Sequence, residues 1–427
     1  MKIGICTDLH LGYRQYGLEE RENDFYEQYN KIIDAFIQER VDVVIMGGDL
    51  FDQPRPSPKA LSVFSNGLLK LSSADIDVVN VIGNHAMIQA PGFVTADEFI
   101  FNNLSDQGFY ELLDYNEEDK TVYTYQKNGV SIFGLPYHFN FNLDAFIHKV
   151  DCLNEAAGYH NGLSILVLHQ SFKEFCGFSG EKLSINDIDT SNFDLIICGH
   201  IHERKLTDLD DGTVFLQPGS IERMNIAEAR DEELNGKGIY IIDTSNGIDI
   251  MSVANGFCRF KCERSFLVSE VYIDSSEEID ELEQEILEKV NQYNTQPMLF
   301  LTVHDTSGSF HQLLDLTKEA KPNYLTVRFN YVDESYMEDV NIDVTQDLGV
   351  EKVLKLALNP LGEEEAEFGV DLYRNLKMGN DVSKMLEDFR KKRYNEYKEE
   401  QAINDKFLKQ LDDDKLWLDD IQNWLEK

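Results

Sequence analysis

Five short stretches of the sequence carry side chains that can hold metal ions: Asp8-Leu9-His10, Gly47-Gly48-Asp49, Gly83-Asn84-His85, His169, and Gly199-His200-Ile201-His202. Each closes a short apolar run, which is where open α/β sheets present their ligands. A single histidine at a strand end is as often structural as ligating, but five of the chain's 10 histidines in this ordered setting point to metal. Carboxylate, imidazole and amide oxygen together suit Mn²⁺ or Fe²⁺, with Zn²⁺ also accommodated, and no thiolate at these positions favours a structural zinc. Asp8, His10, Asp49, Asn84, His169, His200 and His202 supply enough ligands for two ions that share one oxygen, at about three or four ligands each. A pair of ions about 3.5–4 Å apart activates a bridging water and binds phosphate oxygens, which is the machinery of in-line phosphoester hydrolysis.

Positioning such a set requires strands that end together. Residues 2–8, 41–47 and 76–82 are rich in Val and Ile and read as buried strands, and Phe25, Tyr29, Ile32, Ile33, Phe36 and Ile37 keep helical spacing between the first two. Ser57-Pro58 predicts an N-cap and first helical position, with Ala60, Leu61, Phe64, Leu68 and Leu71 on one face. Asn128-Gly129 and Asn246-Gly247 lie between strand-like runs and read as hairpin turns. Further strands at 163–168, 194–198, 214–217 and 238–243 predict a mixed sandwich of two sheets rather than one wound sheet. After Gly256 the pattern restarts as strand, helix, strand, helix, strand to about residue 345, a small α/β unit of its own. An acidic linker follows, then two helices with apolar faces, including Trp417 and Trp424, that are too small to bury those faces alone.

Composition narrows the function classes. The chain has 427 residues, with Lys+Arg 39 against Asp+Glu 78 and a formal net charge of −39. Hydrophobic residues at 42% and aromatics at 11% supply enough apolar surface for a folded, multi-unit protein. Its acidity repels phosphate backbones and anionic lipid at long range, so a nucleic-acid binder working by bulk charge is excluded and only a local site remains. Without a secretory-type amino terminus or about 18 consecutive apolar residues, a cytoplasmic location with no membrane contact is expected. The six cysteines are scattered and read as reduced thiols. No G-x-x-x-x-G-K-[ST] sequence occurs, so any ATP dependence must come from a partner.

The ordered set D-x-H, G-D, G-N-H, H and G-H-x-H is similar to that of the calcineurin-like metallophosphoesterase superfamily. Within it, HLGYRQY at 10–16, GDLFDQPRPSP at 48–58, LHQS at 168–171, CGHIHER at 198–204 and QPGSIER at 217–223 resemble the meiotic-recombination-eleven/SbcD nucleases of DNA double-strand-break repair, most closely the archaeal members. The resemblance implies an α/β (α+β) fold, a two-sheet, four-layer sandwich over 1–255, with a DNA-capping α/β domain at 256–345. A linker at 346–380 and a helical region at 381–427 that binds the ATPase partner would follow. It implies two Mn²⁺ per subunit (with Mg²⁺, Fe²⁺ or Zn²⁺ as substitutes), one held by Asp8, His10, Asp49 and His202, the other by Asp49, Asn84, His169 and His200, with Asp49 bridging. His85 would be the catalytic histidine that assists protonation of the departing oxygen. The implied activity is 3′→5′ exonuclease and single-strand endonuclease, in concert with an SMC-like ABC ATPase of the SbcC type that docks on the C-terminal helices. Double- and single-stranded DNA ends would be the substrate, with Tyr13, Arg14 and Arg55 as phosphate contacts. A homodimer through the helices near Leu61, Phe64 and Phe99 is also implied.

The chain departs from that pattern at two places. Ala86 follows Gly83-Asn84-His85 where relatives usually have Asp or Glu, and Asp52 stands where some relatives carry a histidine. A missing carboxylate weakens the support that orients a ligand or acid. Two alternatives therefore stay open: a catalytically weak scaffold that links the ATPase to DNA ends, and a small-molecule phosphodiesterase of the same superfamily.

Overall fold

The computed structural model describes residues 1–87, 94–104, 108–139, 143–177, 181–228, 236–273, 284, 286, 288–293, 295–305, 326–333, 368 and 370–371. The chain divides into two units, Met1–Ser335 and Tyr336–Lys427, and the described elements belong to the first. The expected linker at 346–380, the terminal helices at 381–427 and the second helix expected within the 256–345 unit, whose apolar stretch falls near residues 310–316, lie outside the described residues, apart from isolated positions in the linker.

Two six-stranded sheets form the centre. The first contains β1 (Lys2–Cys6), β2 (Val43–Met46), β3 (Asp77–Asn80), β4 (Tyr110–Leu112), β13 (Lys237–Asp243) and β14 (Phe257–Phe260), in the order β14-β13-β1-β2-β3-β4. The second contains β7 (Tyr125–Lys127), β8 (Val130–Leu135), β9 (Leu163–His169), β10 (Leu195–Gly199), β11 (Lys205–Asp208) and β12 (Val214–Gln217), in the order β11-β12-β10-β9-β8-β7. In each sheet the central strands are parallel; antiparallel strands close both sides of the second sheet but only the β13–β14 side of the first, whose other edge strand, β4, is parallel to β3. A small hairpin, β5 (Asp114–Asn116) and β6 (Thr121–Tyr123), joins the two.

Alternation along the strands sorts side chains into layers. Ile3, Ile5, Val43, Ile45 and Val79 of the first sheet meet Ile132, Ile165, Val167, Leu195 and Ile197 of the second. The opposite face of the first sheet, with Val44, Met46 and Val78, takes helices α1 (Glu19–Glu39), α2 (Pro58–Ser73) and α3 (Ala96–Leu104) through Ile32, Phe36, Phe64, Leu68 and Ile100. The outer face of the second sheet, with Phe133, Leu166 and Ile196, takes α4 (Leu143–Ala157) through Phe146, Val150 and Leu153. The result is the mixed two-sheet sandwich that the strand pattern predicts, in the four layers that the resemblance implies.

Local chemistry explains the boundaries. Ser57 Oγ accepts the Ala60 N–H at 3.1 Å and Pro58 opens α2, as expected of that pair. Asn128 and Gly129 both adopt positive φ and close the antiparallel β7–β8 hairpin. Asn246-Gly247 is different: it follows β13 but leads into a short helix, α5 (Ile250–Asn255), not a second strand. There Asp249 accepts the Ser252 N–H at 2.8 Å and the Ser252 hydroxyl accepts the Asp249 N–H at 3.0 Å, a reciprocal cap that outcompetes strand pairing.

Beyond β14 a separate sheet of three parallel strands forms from β15 (Phe266–Ile273), β16 (Met298–Asp305) and β17 (Thr326–Asp333). It is tied to the sandwich by a buried ion network. Arg264, just before β15, grips the Asp24 carboxylate on α1 at 2.9 and 3.2 Å, and Arg21 takes the same carboxylate at 2.6 Å. The Arg21 and Arg223 guanidinium groups lie over the Phe266 ring at 5.2 and 4.7 Å. None of the helices in the described residues is long and apolar enough to cross a membrane.

Candidate metal centre

The strands of both sheets end at one edge, and the candidate ligands leave from there. Asp8 and His10 follow β1, Asp49 follows β2, Asn84 and His85 follow β3, His169 is the last residue of β9, and His200 and His202 follow β10. Four of them, Asp8 (φ 53°), His10 (φ 44°), Asp49 (φ 48°) and His200 (φ 89°), adopt left-handed backbone conformations. Non-glycine residues held there cost about 1–3 kcal/mol each and persist only where the surroundings dictate them. Neighbouring glycines make the close approach feasible. A Cβ on Gly83 would lie 2.4 Å from the Asp49 backbone nitrogen, and one on Gly48 would lie 2.3 Å from His169 Nδ1.

The structure brings all seven candidate ligands together in two adjacent groups. In one, His10 Nε2 faces His202 Nε2 at 3.1 Å and lies 4.0 Å from Asp8 Oδ1 and 3.9 Å from Asp49 Oδ2. In the other, His169 Nε2 lies 3.1 Å from Asp49 Oδ2 and 3.0 Å from Asn84 Oδ1, and His200 Nδ1 lies 2.7 Å from the same amide oxygen. Asp49 stands between the groups, with Oδ2 within 4 Å of a histidine of each. Its other oxygen accepts the His85 N–H at 2.9 Å.

Their electrostatics fit a cation. Asp8 and Asp49 are buried, which opposes ionisation, but His169 outweighs that effect at Asp49 and holds its carboxyl far below the usual carboxylate range. Burial raises the Asp8 pKa, and the nearby His169 and His202 offset that only in part, so added positive charge would favour its ionised form. Burial also pushes His10 well below its ordinary value and His200 down to about 3, leaving neutral imidazoles whose lone pairs can ligate. At His169 burial works against charge, yet Asp49 carries the pKa up to about 9, so positive charge is drawn to the point between them. The His169 Nδ1–H donates to the Gly47 carbonyl at 2.8 Å, which aims Nε2 inward.

His85 lies beside both groups without joining the seven. Its ring packs edge-on against His10 with centroids 4.6 Å apart, and its Nδ1 lies 2.6 Å from the Asp52 carbonyl and 3.8 Å from the Asp52 carboxylate. Asp52 thus supports the histidine from the GDLFD segment, whereas Ala86 is buried in the 3₁₀ turn Asn84–Ala86. Among the expected phosphate contacts, Arg14 instead pairs with Glu22 at 2.8 Å, and the Tyr13 hydroxyl donates to the Met224 carbonyl at 3.4 Å. Arg55 is exposed on the loop before α2. One carboxylate was not singled out by its sequence: Glu228 Oε1 lies 3.0 Å from His202 Nδ1. No fixed spacing links positions 202 and 228, so a motif reading had no signal for it.

These features have counterparts in known proteins. The Calcineurin-like phosphoesterase family matches residues 1–204. The DNA double-strand break repair protein Mre11 of Methanococcus maripaludis is 30% identical over 393 residues, covering 90% of this chain and 97% of the relative. The chain belongs to the Mre11 family. The Mre11 protein of Saccharolobus solfataricus is 27% identical over 90% of this chain and 98% of its own length, and that of Methanocaldococcus jannaschii is 28% identical over 90% and 96%. As an Mre11-family chain it is a metal-dependent phosphodiesterase, and the two ligand groups are its candidate dinuclear centre.

Proposed function

We propose that this chain is a Mn²⁺-dependent DNA nuclease of double-strand-break repair. It would cleave as a 3′→5′ exonuclease and single-strand endonuclease, together with an SMC-like ABC ATPase that docks on residues 381–427. The observation that carries this reading is the convergence of two ligand groups on Asp49, with His85 alongside. One ion would be held by Asp8, His10, Asp49 and His202, the other by Asp49, Asn84, His169 and His200. The mixed oxygen and imidazole donors favour Mn²⁺ over softer ions. When bound, the pair of dications supplies Lewis acidity to a phosphate and lowers the pKa of a water.

The protein's own groups do the rest. Asp49 spans both groups and, through its Oδ1, fixes the backbone that presents His85. With Nδ1–H committed to the Asp52 carbonyl, the imidazolium form of His85 would present its Nε2–H to the departing oxygen, giving up that proton and becoming neutral. The sheet β15–β17, fastened to the sandwich through Arg264 and Asp24, would be the DNA-capping element, an addition that a small diester would not call for. DNA specificity is supported by the names of the relatives.

The dimer surface needs a correction within this reading. Phe64 and Leu68 are interior residues packed on the first sheet, and Leu61 is only half-buried. The apolar side chains left outside on α2 and α3 are Leu69, 56% exposed, and Phe99, 59% exposed, and these would carry a homodimer.

Cleavage of duplex and single-stranded DNA with Mn²⁺ tests the proposal, against a small aryl phosphodiester as the competing substrate. DNA cleavage that disappears on chelation and in Asp49→Ala is expected. Turnover of the small diester without DNA cleavage would overturn it.

A further inference from the structure

Both ends of His202 are held by a buried cluster that the hydrolytic reaction does not itself require. Glu228, Lys237 and Ser220 are 3%, 2% and 1% exposed. Glu228 Oε1 takes His202 Nδ1 at 3.0 Å and the Asn225 amide at 2.7 Å, while Oε2 accepts the Met224 N–H at 3.0 Å and the Lys237 ammonium at 3.1 Å. Lys237 also donates to the His202 carbonyl at 2.9 Å and to Ser220 Oγ at 2.7 Å. The Ser220 N–H reaches the same carbonyl at 3.2 Å. A lysine and a glutamate this far from water are costly unless their hydrogen bonds are complete, and here they are. Lys237 opens β13, whose Tyr240 pairs with Ile5 of β1, so the ammonium is anchored by the sheet that also carries Asp8 and His10.

We infer that Glu228, held by Lys237, is the positioning residue that fixes His202 as an Nε2 ligand and makes it a stronger donor. The inference rests on the assignment of His202 as a ligand. The chemistry is directional. An ionised carboxylate only accepts, so the His202 proton must sit on Nδ1 and the lone pair on Nε2. That nitrogen is the one facing His10 Nε2 at 3.1 Å. A carboxylate behind an imidazole also raises its basicity toward a metal more than a carbonyl does. The two groups are unequal in this respect, because His169 donates its Nδ1–H to the neutral Gly47 carbonyl.

Calorimetric titration of the metal-free full chain with Mn²⁺ tests this through binding rather than turnover. In Glu228→Ala one binding step is expected to weaken about 10- to 100-fold while the other stays within about threefold. Glu228→Gln, whose amide oxygen can still accept the Nδ1–H but carries no charge, is expected to recover part of that loss and not all of it. Nitrogen-15 spectra of the histidine-labelled, Zn²⁺-loaded wild type need no variant, and they are expected to show His202 with Nδ1 protonated and Nε2 ligated. Two unchanged binding steps in Glu228→Ala, or His202 ligating through Nδ1, would overturn the inference. His202→Ala separates the two levels: if it retains both steps, the ligand assignment itself is wrong; if it loses one that Glu228→Ala keeps, only the role of Glu228 falls.

Discussion

His85 donates its Nδ1–H to the backbone carbonyl of Asp52 at 2.6 Å. A carbonyl cannot donate in return, so the ring's orientation is set by main chain and only Nε2 is available for chemistry. His85→Ala is expected to keep Mn²⁺ affinity within about threefold and to lower DNA cleavage by about 10²- to 10⁴-fold. A substrate with a bridging sulfur leaving group, which needs no proton to depart, is expected to recover most of the rate. Equal losses on both substrates would remove the acid role.

Gly83 has no room for a side chain. Its added methyl would press on the Asp49 backbone nitrogen at 2.4 Å and on the Asp49 carboxylate. Gly83→Ala is therefore expected to displace Asp49 and weaken both Mn²⁺ steps by at least about tenfold, a loss of about 1.4 kcal/mol per step. Retention of both affinities would show that the strand ends yield more easily than the packing implies.

Asp97 on α3 is buried, and burial raises its pKa to about 7 although the Asn80 amide donates to it at 2.9 Å. In the unfolded chain a carboxyl titrates near 3.9, so between about pH 4 and pH 7 the folded state holds a proton that the unfolded state has lost. The stabilisation is present in full below about pH 4 and is lost as pH rises through 7, roughly 4 kcal/mol over the window at about 1.4 kcal/mol per pKa unit. Urea unfolding of wild type and Asp97→Asn across this range is expected to show the difference between them shrinking toward low pH. A constant difference would place the proton elsewhere.

Arg264 is shared between Asp24 of the sandwich and the Gln296 carbonyl ahead of β16. Replacing it with Met leaves Arg21 on the carboxylate but strips one face of the buried pair, and a loss of about 3 kcal/mol is expected in chemical denaturation. Limited proteolysis is expected to cut between β14 and β15 sooner than in wild type. An unchanged denaturation midpoint would mean that the apolar contacts of Phe266 alone hold the small sheet.

The site was legible in the sequence to the extent that its chemistry is local. Gly-Asp, Gly-Asn-His and Gly-His-x-His each join a ligand to the turn that presents it, and a Val/Ile strand before each turn fixes its direction. The dimer expectation at Phe64 came from the resemblance; helical spacing shows only that the face is apolar, not whether a sheet or another subunit covers it, and here the first sheet does. Glu228 and Lys237 were silent because they lie 26 and 35 positions from His202, and only the fold closes those gaps. Arg264 and Asp24, 240 positions apart, were silent for the same reason. At Asn246-Gly247 the turn was read correctly but its successor was not, since the Asp249–Ser252 cap turns the next apolar run into a helix.

Each ligand group draws on both sheets. Asp8, His10, Asp49 and Asn84 come from the ends of the first, and His169, His200 and His202 from the ends of the second. Ions seated there would act as rivets through a laminate whose other bond is an apolar layer with no directional grip. A shear that slid one sheet past the other by a single side-chain spacing would pull both rivets at once, so the molecule's mechanical integrity and its cutting edge would fail together.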